Sequence, residues 1–250
     1  MQAFMTLTRR ELAGFLVSLT GYVIIAAALF QIGLSFVILV SKLQGESTPM
    51  PVTEMFYVTA FFWLILLLCA PVITMRLFAL EKYSGTFETL MTTPVGDLQV
   101  VLAKFSAAII FYMLMWLPLI ACIFLVQYYT NDSAGFDWGT IGSTYVGIFL
   151  LGCLYMSMGC FASALTDSQI IAAMISFAIG LALFSISFLP EQINIGTSWA
   201  EQAISYMAMR EHMRDFSRGI IDTRYIVFYL SLTVFFLFLT YRVIESRRWK

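Results

Sequence analysis

Charge is what this chain has least of. Asp, Glu, Lys and Arg make up 12% of its 250 residues, about half the share of an ordinary soluble domain. The 14 basic and 15 acidic residues nearly cancel, to a net charge of −1, so no basic surplus is there to attract nucleic acid. Histidine occurs once, as His212, in a loop beside Glu211. It reads as a solvated loop residue, and its solitude argues against catalysis by a nucleophile with an imidazole base. The four cysteines, Cys69, Cys122, Cys153 and Cys160, all fall within apolar runs. They have neither the spacing of a zinc site nor that of a disulfide framework, and read as small packing residues. No Gly-Lys-Ser or Gly-Lys-Thr follows a glycine in phosphate-loop spacing, so the chain has no nucleotide-hydrolysing motif of this kind.

What fills the chain instead is hydrophobic: 60% of its residues, gathered in six long runs. Runs of about 20 apolar residues cross a bilayer core of roughly 30 Å as helices. The runs predict spans over about 14–40, 56–78, 105–128, 140–164, 170–189 and 225–244. The first continues well past the roughly 7–15 residues of a signal-peptide core, so it reads as an uncleaved span. Pro71 predicts a kink in the second, and residues 131–135 a turn. The expected architecture is an all-α polytopic membrane protein, with residues 1–250 forming a single transmembrane domain. Ahead of the first span, residues 1–13 predict a short helix lying at the lipid bilayer surface. Thr8 and Glu11 fit a capping box there, and Arg9 and Arg10 suit the headgroup region.

Basic residues favour cytoplasmic termini. That orientation puts nine basic and six acidic residues on the cytoplasmic side, against five and nine outside. Four of the outer five, Arg210, Arg214, Arg218 and Arg224, share the loop 190–224 and taken alone oppose the rule. This loop also predicts a surface helix, capped by Ser198 and Glu201 and stopped by Gly219. Trp199, Tyr206, Met213 and Phe216 lie on its apolar side, with Glu211, His212 and Asp215 opposite. Such a helix serves either as an outer gate or as a cap over the bundle. Thr166 and Gln169 fit another capping box, in a tight turn between spans four and five. Within span five, Ala172, Ser176 and Gly180 recur every four residues, a small-residue seam that suits close packing within a subunit or between two copies.

The middles of the six spans lack Asp, Glu, Lys, Arg and His, which removes the groups an ion- or proton-coupled carrier places at depth. Energy for active transport must then come from another polypeptide touching the cytoplasmic loops. The longest is 79–104. Gly85 allows a sharp turn, and Thr86 can cap a short helix bearing Phe87, Leu90 and Met91. Pro94 helps to end that helix, and Asp97 caps span three. A short helix with an apolar face and flanking acids suits a partner's groove; an ordinary connecting loop is the plainer alternative.

At this loop the sequence resembles the permease subunits of the ABC-2 type transporter family, which carry a Glu-x-x-x-Gly-Thr-x-Glu-x-Leu-x-Thr-x-Pro-like segment between spans two and three. Glu81, Gly85, Thr86, Glu88, Leu90, Thr92 and Pro94 match it, and Lys104 follows. The resemblance implies an ABC-2 exporter-type transmembrane domain in the bacterial inner membrane, with six spans, cytoplasmic termini and an N-terminal interfacial helix. Residues 215–222 and 245–249 look like the gliding-motility-associated permease group. The resemblance further implies a chain that is not itself an enzyme and holds no cofactor. It would work with a separate ABC ATPase subunit, which binds ATP and Mg²⁺, and with a second permease subunit, identical or related. Glu81 and Glu88 would meet the ATPase electrostatically, and Phe87 and Leu90 would pack into it. The alternative is a non-transporting membrane anchor or assembly factor that tethers an ATPase or an envelope complex.

Overall fold

The computed structural model describes residues 2–43, 53, 54, 56, 59–87, 95–130, 137–188 and 206–248. Their helices are α1 (Gln2–Val17), α2 (Leu19–Leu43), α3 (Ala60–Thr74), α4 (Ala79–Tyr83), α5 (Asp97–Thr130), α6 (Trp138–Leu165), α7 (Gln169–Ile186), α8 (Met209–Ser217) and α9 (Thr223–Arg248). No strand occurs among the described residues. Six stretches are long and apolar enough to cross a bilayer: Leu19–Ser41, Ala60–Tyr83, Asp97–Val126, Trp138–Leu165, Gln169–Ile186 and Thr223–Ser246. The molecule is an all-α, six-span membrane protein, as its apolar runs predict.

The helix boundaries depart from the sequence reading where side chains found unforeseen partners. The N-terminal helix does not stop near residue 13 but runs to Val17. Ser18 makes the break: its hydroxyl donates to the Phe15 carbonyl at 3.1 Å and accepts from the Gly21 N–H at 3.1 Å. Thr8 is not a cap. It sits within α1, and its hydroxyl bonds back to the Phe4 carbonyl at 2.9 Å, the usual fate of a threonine inside a helix. The expected box at Thr166 is also replaced. Ser168 is the N-cap residue of α7, and the Thr166 hydroxyl accepts from the Ser168 N–H at 3.1 Å, tightening the turn. The proposed cap at Ser198 and Glu201 lies outside the described residues.

Pro71 lies inside α3, three residues before its end. Proline supplies no N–H to the preceding turn, and four residues later the helix gives way to a turn over 75–78. Thr74 closes the end by donating to the Ala70 carbonyl at 2.8 Å.

The most enclosed span is α6, which packs against α3, α5, α7, α8 and α9. Its glycines permit this. A Cβ on Gly159 would lie 2.0 Å from the Thr74 hydroxyl, and one on Gly152 would lie 2.3 Å from the Tyr112 ring. Any larger residue there would force α3 or α5 away. The α7 seam of Ala172, Ser176 and Gly180 is buried within the subunit, where the Tyr155 hydroxyl donates to the Gly180 carbonyl at 3.3 Å. Ile170, Met174 and Leu181 on other faces of α7 are exposed.

Candidate functional site

The N-terminal helix α1, the five-residue helix α4 and the start of a span meet at one end of the bundle. The start of α5 carries Lys104 into the interior, where its side chain is 3% exposed. An ammonium so far from water needs close anionic partners. It has two: Glu11 of α1 at 3.1 Å and Glu81 of α4 at 2.8 Å. Arg10 spans the same two carboxylates from the surface, 2.7 Å from Glu11 and 3.0 Å from Glu81. The Phe78 ring adds its face to the ammonium, with the nitrogen 5.4 Å from the ring centre. Burial alone would push the Glu11 carboxyl up, but the Lys104 charge and the hydrogen bonds from Arg10 and Lys104 outweigh it and hold it below the ordinary carboxylate value. The hydrogen bond to Glu11 raises Arg10 in turn, against partial desolvation.

The same end is fastened to α6. Buried Ser163 accepts from the backbone N–H groups of Phe78 at 3.0 Å and Ala79 at 3.1 Å, and donates to the Met75 carbonyl at 3.2 Å. Lys82 donates to the Ala164 carbonyl and lies over the Phe87 ring.

The segment expected to face a partner is thus partly turned inward. Glu81 belongs to the internal cluster rather than presenting a free carboxylate, because buried Lys104 requires it. Phe87 is half-buried and packed on the core. Gly85 makes the sharp turn, with φ of +71°, where glycine meets no Cβ penalty. Thr86 is exposed, with its hydroxyl 2.9 Å from that of Ser84. Glu88, Leu90, Thr92 and Pro94 lie outside the described residues. Of the surface-helix group, Arg9 is exposed while Arg10 and Glu11 join the cluster. Two features were missed. Tyr83 stands 80% exposed beside the Gly85 turn, and a large exposed aromatic on a short helix was the available signal. Ser163 gave none, because a serine within an apolar run looks like any packing residue.

The opposite end of the bundle is covered by α8. Met213 and Phe216 are buried against α6, while Tyr206 is exposed ahead of the helix and Trp199 lies outside the described residues. His212 corrects the sequence reading: it is 1% exposed, not solvated. Its ring stacks on Tyr225 with centres 4.0 Å apart, and its Nδ1 lies 3.3 Å from the Tyr229 hydroxyl. Burial pushes its imidazole down to about 4, outweighing the opposite pull of Asp215 and Asp222. The arginines that oppose the charge rule also have a place. The Glu54 carboxylate, 2% exposed, takes Arg218 through Nε at 2.9 Å and Nη2 at 2.8 Å, and Arg214 through Nε at 3.1 Å. Desolvation raises the Glu54 carboxyl, but the two arginines outweigh it and leave it low. Beside it, Thr53 donates to the Ser217 carbonyl at 2.9 Å.

No group of His, Cys, Asp and Glu suited to a metal ion occurs among the described residues. Comparison with known proteins adds the family. A family model described as ABC-2 family transporter protein matches residues 18–190. None of the curated proteins matches the chain. The family match covers five of the six spans, from the Ser18 break to the end of α7, and with it the chain belongs to the ABC-2 transporter family of integral membrane proteins.

Proposed function

We propose that the chain is the permease subunit of an ABC transporter, coupling ATP hydrolysis by a separate ATPase subunit to export or movement of a substrate across the bacterial inner membrane. The observation that carries this reading is the junction of α1, α4 and α5. A surface helix and a loop helix share one buried lysine there, so a push on either is felt at the start of a span. The α1 end is then the cytoplasmic one, in keeping with the charge balance. ATP and Mg²⁺ belong to the partner, and residues 1–250 act as one transmembrane domain. Two permease subunits, identical or related, would pair with two ATPase subunits. The likeness of residues 215–222 and 245–249 to gliding-motility permeases favours that branch of the family.

The ATPase would meet exposed Tyr83 and Thr86, with Glu88 as a further contact residue and Leu90 packing into the partner. Glu81 positions the segment from behind. The test is affinity purification from gently solubilised membranes, with ATPase activity assayed on the eluate. Tyr83→Ala with Glu88→Lys should lower the co-purified activity about tenfold or more, the scale of an interface hot spot, and leave the Glu81 cluster intact. A native chain that brings down no ATPase would move the weight to a membrane anchor or assembly factor.

A further inference from the structure

Helix α6 is gripped at both of its ends. At the α4 end, the two N–H groups that Ser163 accepts open a helix, where backbone donors have no partner within their own helix. A side chain from a different span supplies it. One residue further on, the Ala164 carbonyl in the last turn of α6 takes the Lys82 ammonium, and a cation suits the negative end of a helix. At the other end, the Ser143 hydroxyl lies 2.5 Å from the Phe216 carbonyl of α8. A Cβ on Gly147 would fall 2.9 Å from the Met213 sulfur and 3.0 Å from the Phe216 ring, so α8 sits directly on the α6 backbone. Between Ser143 and Ser163 the helix spans about 30 Å at its ordinary rise, enclosed on most sides and approached closely at Gly152 and Gly159.

Helix α4 follows the turn over 75–78 and is bonded to α6 directly, as well as to α5 and α1 through Glu81. Movement of α4 therefore passes to α6 as well as to the start of α5. We propose that α6 is the strut that carries movement of the α4 segment to α8, and that Ser163 and Lys82 are the positioning residues that fasten it. The inference rests on the permease reading, in which the partner ATPase moves the segment. It adds which span receives the motion and where that motion is delivered: at the α8 end, against the Glu54 clamp. A strut of close-packed helix transmits displacement because such an interior has little free volume in which to absorb it.

The test uses the permease purified with its ATPase. An environment-sensitive fluorophore on Ile220→Cys, at an exposed position just past α8, reports movement of that end when a non-hydrolysable ATP analogue is added. The native assembly should show an analogue-dependent change. Lys82→Met should reduce it about fivefold, the scale of one lost hydrogen bond, and Ser163→Ala, which removes three, by at least as much, while the amount of co-purified ATPase stays the same in both. Lys82→Met leaves the core untouched, so it decides the matter even if Ser163→Ala folds poorly. Ser163→Thr, which keeps the hydroxyl, should retain the change. A native-sized change in both Ser163→Ala and Lys82→Met overturns the strut and leaves the permease reading standing, as does a native assembly whose α8 end ignores the analogue. Failure of the native chain to hold any ATPase overturns both.

Discussion

The two ends of the bundle are each closed by an ion cluster, and the clusters are built with opposite polarity. At the α1 end a cation is buried, Lys104, and its carboxylate partners are themselves mostly enclosed, 17% exposed for Glu11 and 15% for Glu81. At the α8 end an anion is buried, Glu54, and its partners are open to water, 54% exposed for Arg214 and 39% for Arg218. The first cluster ties together three elements far apart in sequence; the second clamps one helix to the Thr53–Glu54 stretch. Where the partners of a buried charge are enclosed too, removing that charge strands them. Where they are exposed, water takes them back. The α1 end is therefore the costlier to disturb, and the α8 end is the easier to open.

The largest effect should come from Lys104→Met. It leaves two enclosed carboxylates sharing one exposed arginine, and loss of one partner from such a buried network costs about 3–5 kcal/mol. The purified protein should show a thermal midpoint many degrees lower, and Lys104→Met combined with Glu81→Gln should recover part of the loss. A single variant as stable as the native chain would remove the contrast between the two ends.

His212 sharpens the contrast through pH. Its folded imidazole is pushed down to about 4, against about 6.5 when unfolded. The unfolded chain therefore binds the proton first. The contribution of neutral His212 is complete above about pH 6.5 and is lost as pH falls from there to about 4, by up to about 3 kcal/mol. Thermal midpoints measured across this window should drop less in His212→Gln than in the native chain. An equal drop in both would place the acid sensitivity elsewhere, with the α1 end as the first alternative.

These groups also mark how far the sequence could be read. The six spans were legible because a bilayer helix must be apolar along its whole length, and Gly85 was legible because its backbone freedom is intrinsic. The capping boxes failed at Thr8 and Thr166 because the motif is local, and a hydroxyl there takes whichever backbone group lies nearest. Lys104 was visible as a charge entering an apolar run, but its partner Glu11 lies 93 residues away in sequence. His212 was placed on the polar side of a helix expected to begin near Ser198. The described helix begins at Met209, and the aromatic face of α9, with Tyr225, Phe228 and Tyr229, covers that side. Chain geometry at a distance, not residue chemistry, was the missing information.

Glu54→Gln should cost less than Lys104→Met, about 1–2 kcal/mol. The amide keeps one acceptor for Arg218, and the Arg214 guanidinium, 54% exposed, turns to solvent. The effect should be local, seen as faster proteolysis or hydrogen exchange over 206–222 with little change at the α1 end. A global loss as large as that of Lys104→Met would mean that the Arg214 and Arg218 charges are not recovered by water, and that the two ends are equivalent after all.

The smallest effect is expected from Arg10→Gln. Arg10 touches both carboxylates of the buried cluster, yet its side chain is 56% exposed, and exposed ion pairs contribute about 1 kcal/mol or less. Lys104 still bridges Glu11 and Glu81 from within in this variant, so the thermal midpoint should move by only a few degrees. The Glu11 carboxyl loses a hydrogen bond and a charge that hold it low, so its stabilising contribution should disappear at a higher pH than in the native chain as acid is added. A small midpoint change at neutral pH together with an earlier acid transition would assign the hub to Lys104 and leave Arg10 as its outer brace. A loss equal to that of Lys104→Met would make the surface arginine the true anchor and reverse the order of the two cations.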